Sequence, residues 1–208
     1  MPRPRHQPLP LADGPAPERA DAARNREVLL AAARQLMLSE GICAVSMDRV
    51  ARLAGVGIGT VYRRFTDRCG LALALLGDSE RQFQAAFLTG PPPLGPGAAP
   101  ETRIRAFLHC YIDRLETDAE LHAIAETSSP TGRYNNGAYR TARTHLSWLL
   151  TEAGAQDPAY HADALLTLLS AGLFQHHRHE LHLSPERIKA GLDSLVTGLL
   201  SQGTPSPN

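Results

Sequence analysis

Apolar side chains recur along this chain at intervals of three and four, the spacing that puts them on one face of an α-helix. Val28, Leu29, Ala32, Ala33, Leu36 and Met37 form the first such stripe, and Gly41 ends it as a C-terminal cap. A short helix is expected over Met47 to Leu53. Ile104, Phe107, Leu108, Tyr111, Ile112 and Leu115 predict an amphipathic helix, with a less regular one from Asp118 to Thr127 before Pro130. Tyr139 to Ala153, carrying Leu146, Trp148, Leu149 and Leu150, predicts another, closed by Gly154. Asp157-Pro158 and Ser184-Pro185 each read as an N-cap followed by proline at the first helical position, where its missing N–H is tolerated. No sustained alternation of β-branched and aromatic residues occurs, so the expected fold is all-α, with about nine helices.

Breaks in this pattern divide the chain. Residues 1–20 hold six prolines and few bulky apolar groups, which predicts a flexible arm. TGPPPLGPGAAP within 89–100 cannot continue a helix and reads as a linker; 202–208 reads as a flexible tail. Between them lie an N-terminal domain over 21–70, a connecting helix over 71–88 and a larger helical domain over 101–201. The helix after Asp157 carries Leu165, Leu166, Leu168, Leu169, Leu173 and Phe174 pointing in nearly every direction. The last helix has a stripe of Ile188, Leu192, Leu195, Val196 and Leu199 flanked by Ala190, Gly191, Ser194 and Gly198. That surplus suggests a homodimer interface at Leu165, Leu169, Leu173, Leu192, Leu195 and Leu199. The same pattern also fits two helices that complete a monomeric core.

The most specific stretch is MDRVARLAGVGIGTVYRR over Met47 to Arg64. Ala51 is small where a second helix must cross, and Gly55 stands four residues on, where a tight turn takes a positive φ at little cost to glycine. Val56 and Val61 then pin the second helix on the first. This is the spacing of a helix-turn-helix, whose second helix enters the DNA major groove.

Charge agrees with this locally, not globally. Lys plus Arg and Asp plus Glu both total 21, which alone argues against a polyanionic partner. Over Ser46 to Arg68, however, Arg49, Arg52, Arg63, Arg64 and Arg68 oppose only Asp48 and Asp67. Residues 1–90 carry 12 basic and 9 acidic groups, and residues 91–208 carry 9 and 12. Lys189 is the single lysine, so phosphate and base contacts fall to arginine, whose planar fork permits bidentate geometry. Cys43, Cys69 and Cys110 form no CxxC pair, and neither a signal peptide nor an 18-residue apolar run is present, which suits a soluble cytoplasmic protein.

Residues 24–76 resemble the N-terminal domain of the TetR family of bacterial transcriptional regulators. The likeness is carried by SEGICAVSM, RVARLAGVGIGTVYRRF and TDRCGLALALL. It implies that Ser46 caps the first helix of the motif, that Thr60 and Tyr62 face DNA, and that Phe65 locks the recognition helix to the core. Arg68 would stand beside a phosphate at the next helix N-terminus. Arg63 is placed for guanine or phosphate, and Gly57, Arg64 and Arg68 complete the expected DNA-binding set. The sequence departs from the family in three places. Gly57 replaces a Ser or Ala, Ile58 replaces a position that is often polar, and Cys69-Gly70 replace better helix formers, which predicts a weak first turn in the following helix.

The resemblance also implies a homodimer on a double-stranded DNA operator and a small-molecule effector in the C-terminal domain whose binding releases the operator. Candidate pocket residues are Phe107, Tyr111, Trp148 and Phe174, with His109 and His145 as polar anchors. Aromatic content of 5% argues against a large aromatic cage. His176, His179 and His182 invite a metal, but HHRHELH contains neither HExxH nor HxxEH, so no metal or cofactor is expected. The rival readings are a DNA-binding dimer regulated by a protein partner, and an enzyme. No GxSxG, Walker or dinucleotide motif supports the enzyme.

Overall fold

A computed structural model describes residues 17–126, 134 and 136–201. Among these residues nine α-helices and no strands are found. They are α1 (Pro17–Glu40), α2 (Met47–Ala54), α3 (Ile58–Phe65), α4 (Arg68–Thr89), α5 (Pro100–Glu126), α6 (Gly137–Glu152), α7 (Pro158–Leu168), α8 (Ala171–Gln175) and α9 (Pro185–Ser201). A 3₁₀ turn, Ile42–Ala44, joins α1 to α2, and one π-helical turn, His176–Glu180, follows α8. The helix α1 already begins at Pro17, so the expected arm is shortened by the helical residues 17–20. Residues 1–16, the stretch around Thr127 and Pro130, and the 202–208 tail lie outside the described residues.

Local signals set the helix ends. Gly41 takes a φ of 84° after α1. Asp157 accepts a hydrogen bond from the Tyr160 amide at 3.2 Å, and Ser184 one from the Arg187 amide at 3.2 Å. Asn136, which the apolar pattern did not single out, caps α6 through the Tyr139 amide at 2.7 Å. In α1 the buried face is shifted from that expected: Val28 points to solvent while Leu30 is buried.

The two helices expected between Ile104 and Thr127 are present end to end within α5, and the backbone leaves helical geometry between them at Asp118 (φ −126°, ψ 20°), the residue where the second was expected to start. A further expectation is corrected by a tertiary contact: the single helix expected from Pro158 through Phe174 breaks at Leu169 and Ser170. There the Glu126 carboxylate reaches across from α5 and accepts the Ala171 amide at 3.2 Å, supplying an acceptor for the new helix N-terminus.

Two apolar clusters organise the helices. The first joins α1, α2, α3 and the N-terminal half of α4, through Leu29, Ala33, Val50, Val61, Phe65, Leu71 and Leu75, and takes in Leu121 and Ala125 from the end of α5. The second joins the C-terminal half of α4 with α5 to α9 around Phe83, Phe87, Phe107, Ile112, Leu146, Leu165 and Val196. The helix α4 therefore belongs to both, and α5 touches both.

Candidate nucleic-acid interface and effector cavity

The helix α2 is short because the sequence starts and stops it firmly. Ser46 adopts extended backbone and its hydroxyl accepts the Arg49 amide at 3.3 Å. At the other end Gly55 takes the left-handed conformation (φ 68°, ψ 29°) that reverses the chain within three residues. Ala51 and Val61 are buried where α2 and α3 cross, and Val50 and Phe65 complete the contact. The N-cap of α3 is Gly57, which supplies no side-chain acceptor. A Cβ built on Gly57 or Gly59 would meet nothing within 4 Å, so the first turn of α3 offers an uncovered backbone.

The outer face of α3 carries Ile58, Tyr62, Arg63 and Arg64, all exposed, with Thr60 half-buried beside them. An Arg63 Nη donates to the Thr60 hydroxyl at 3.3 Å. Among the described residues neither Arg63 nor Arg64 is paired with an acid. The other arginines are differently engaged. Arg49 pairs with Glu40, whose carboxyl is held below its ordinary range by that hydrogen bond, and Arg52 pairs with Asp48. Arg68 donates to the Ile42 carbonyl at 3.0 Å, tying the start of α4 to the 3₁₀ turn; a guanidinium has donors left over. The uncommitted positive charge is thus concentrated on α3.

The junction of α3 and α4 corrects the reading of Cys69-Gly70 as a weak turn. Asp67 caps α4 through the Gly70 amide at 2.7 Å. A Cβ on Gly70 would lie 1.9 Å from the Phe65 carbonyl oxygen, so a glycine lets α4 start against the end of α3. Close approach, not helix propensity, selects the residue.

A cavity of about 300 Å³ lies where the two clusters meet, between α4, α5 and α6. Leu73, Leu76 and Phe83 from α4, Tyr111, His122, Ala125 and Glu126 from α5, and Tyr139 and Ala142 from α6 line it. Leu76 and Ala125 also belong to the N-terminal cluster. Two of its polar groups are already held by neighbours. Glu80 pairs with Arg114 at 2.9 Å, and the Tyr139 hydroxyl donates to Asp163 at 2.7 Å, where Arg143 also converges.

Of the six residues expected at a ligand, Tyr111 faces this cavity. His145 and Trp148 line a separate open groove. Phe107 and Phe174 are buried in the second cluster and line neither space, because they pack against other core side chains. His109 turns to the surface, where its Nε2 lies 2.9 Å from Asp193. Spacing alone could not find His122, Glu126 or Tyr139, since a void depends on how three helices diverge.

The expected dimer residues also separate. Leu165, Leu169 and Leu192 are buried in the subunit's own core, so their side chains are not available to a second copy. Leu173 and Leu199 are half-buried, and Leu195 is exposed. His176 bonds Glu180 at 2.9 Å in the π-turn, and His182 has a φ of 53°. No group of three metal-binding side chains converges among the described residues, and no helix among them is long and apolar enough to cross a membrane.

Comparison with known proteins accords with this geometry. The family model of bacterial regulatory proteins, tetR family, matches residues 29–75. An HTH-type transcriptional regulator of Staphylococcus aureus strain bovine RF122 / ET3-1 is 25% identical over 170 residues, 81% of this chain and 90% of the relative. A second, from S. aureus strain USA300, is 42% identical over 53 residues, 26% of this chain and 29% of the relative. Among solved structures, a transcriptional regulator from Rhodococcus superposes with a TM-score of 0.62 at 22% identity, covering 88% of this chain and 99% of the other. NalD, the secondary repressor of the MexAB-OprM multidrug efflux pump in Pseudomonas aeruginosa, superposes at 0.58 with 20% identity, covering 86% and 97%.

Proposed function

We propose that this chain, a DNA-binding transcriptional regulator of the TetR family, is a cytoplasmic homodimeric repressor that leaves a palindromic operator when a small molecule enters its helical body. DNA recognition is carried by α3. Thr60, Tyr62, Arg63 and Arg64 read or clamp the major groove, Gly57 lets the backbone approach, and Ser46 and Arg68 hold phosphates on either side. The observation that carries this reading is the bare outer face of α3, where two arginines without acidic partners stand beside an exposed tyrosine. A fixed surface of this kind neutralises phosphates and reads base edges from one helix.

Release is supported by the position of the cavity. It touches α4 at Leu73, Leu76 and Phe83, and α4 is the helix common to both clusters. A dimer must hold two recognition helices roughly 34 Å apart to enter successive major grooves. A ligand that wedges α4 from α5 spoils that register. Ten-fold weaker DNA binding needs only about 1.4 kcal/mol of preference for the DNA-incompetent state. For the dimer, Leu195 is exposed on α9 beside the small, exposed Ser194 and Gly198, which would let a second helix approach closely.

The test is footprinting of the purified chain on its own upstream DNA, followed by titration of the protected fragment with Tyr62→Ala and Arg63→Ala. Each variant is expected to bind at least ten-fold more weakly at constant salt. Equal affinity of both variants and the parent would overturn the assignment of α3. A compound screen for release then identifies the effector, and Ala142→Phe, which fills the cavity, should abolish the response to it.

A further inference from the structure

The groove that contains His145 and Trp148 shares no lining residue with the cavity at the junction. It is open, has a volume of about 550 Å³ and runs between Leu88 at the end of α4, Pro96, Arg103 near the start of α5, and the α6 face that carries Thr144, His145 and Trp148. Arg103 is only 5% exposed. One of its Nη groups donates to the Phe87 carbonyl at 3.2 Å, while its Nε is buried with no hydrogen-bond partner. No carboxylate pairs with it among the described residues, and no acidic residue lines the groove.

A buried guanidinium without a counter-ion is costly, and proteins ordinarily supply an acid. Here the neighbours are instead aromatic. The Arg103 guanidinium lies 5.3 Å from the centroid of the Trp148 ring, and the His145 ring lies 6.3 Å from it. The Nε2 of His145 is likewise buried and has no partner. Burial, then the charge of Arg103, holds the His145 imidazole down to about 4, so it is neutral at pH 7 and able to donate one N–H. A second cation, Arg140, stands exposed at the rim.

We propose that this groove is a binding site for a small aromatic carboxylate. The carboxylate pairs with Arg103 and accepts from the neutral His145 imidazole, and the ring lies against Trp148, Leu88 and Pro96. Charge complementarity selects the acid, and the apolar walls select an organic anion over an inorganic one.

The chain supplies its own reporter, because Trp148 is its single tryptophan. Excited at 295 nm, its emission reports on the groove that this side chain lines, and the Thr144→Phe and Ala142→Phe variants separate occupancy of the groove from occupancy of the other cavity. The full-length protein is titrated with 3-phenylpropanoate, with the neutral 3-phenylpropanamide and with inorganic phosphate. The acid should change the emission saturably, with the amide at least ten-fold weaker and phosphate without effect at the same concentration. Arg103→Met should weaken the acid roughly ten- to hundred-fold, the usual effect of losing one charge-assisted contact. Thr144→Phe, on the exposed edge of the groove, should block it, and Ala142→Phe in the other cavity should not.

Equal responses to acid and amide, an unchanged response in Arg103→Met, or no response at millimolar acid would each overturn the proposal. Phosphate competing as well as the acid would reduce the groove to a plain anion site and overturn it too. If Arg103→Met fails to fold, as a melting curve would show, the acid-to-amide ratio and Thr144→Phe decide. DNA affinity forms no part of the readout, so failure here leaves the operator-binding reading intact.

Discussion

His145 makes the stability of the helical body depend on pH in a calculable way. Its ring is 7% exposed and packs 4.5 Å from the Phe87 centroid and 5.9 Å from that of Phe107. Loss of hydration, reinforced by Arg103, lowers its pKa from 6.5 to about 4. Between those values the unfolded chain binds a proton that the folded chain refuses, so stability falls as the pH falls through this window. Above pH 7 the contribution is fully present, and below about pH 4 it is gone. The separation of the two values corresponds to roughly 3 kcal/mol, of which about 2–3 is lost by pH 4.5. The perturbation is His145→Phe, which keeps a flat ring against Phe87 and removes the titration. Urea unfolding of both proteins at one protein concentration, from pH 7.5 to pH 4.5, gives the comparison, and the difference between them cancels the carboxylates they share. The parent should lose about 2–3 kcal/mol more than the variant. Parallel stability curves would refute the reasoning and show that His145 is solvated in solution.

Other expectations rest on single contacts. Gly70→Ala places a Cβ on the Phe65 carbonyl and should destabilise the N-terminal domain by at least about 1–3 kcal/mol in thermal melts, although alanine is the better helix former. Ser46→Ala removes the α2 cap and should cost about 1 kcal/mol by the same measurement. Operator affinity should fall steeply with salt, and Arg64→Ala should lower the slope of log K against log salt by about 0.9 if Arg64 neutralises one phosphate; an unchanged slope places it on a base or on nothing. Leu195→Glu should shift sedimentation from dimer to monomer, whereas Leu165→Ala, inside the core, should lower stability and leave the association state of the folded fraction unchanged.

The features legible in the sequence were those whose physics is local. A proline after Asp157, a serine before Met47 and a glycine at 55 each act within one helical turn, and each stands where its own chemistry places it. The helix-turn-helix was legible because two short helices crossing at fixed distance dictate Ala51, Gly55 and Val61 almost uniquely. Gly70 was misread because its reason, the Phe65 carbonyl, belongs to the preceding helix. The break at Ser170 was invisible because its acceptor, Glu126, is 45 residues away. The body was harder still. A run of leucines facing all directions is equally satisfied by a neighbouring helix of the same subunit or of another, and the fold gave Leu165, Leu169 and Leu192 to the former.

Charge shows the same division between composition and arrangement. Net neutrality says nothing of which arginines are committed, because a guanidinium two residues from an acid in sequence and one paired across the fold contribute alike to the sum. In the N-terminal domain Arg49 and Arg52 are neutralised by Glu40 and Asp48, while Arg63 and Arg64 are not, so the effective surplus lies on one helix face. In the body most cations are bound in the same manner: Arg105 to Glu101 and Asp193, Arg114 to Glu80, Arg178 to Glu116, Lys189 to Asp113. Against that background of satisfied pairs, an arginine buried without an acid is the exception that calls for an external partner, and Arg103 is informative for the same reason as Arg63 and Arg64. An exposed pair suits a polyanion, because little of its hydration is lost on contact. A buried one suits an anion small enough to enter and apolar enough to stay, so the proposed DNA and groove sites differ in size as well as in place.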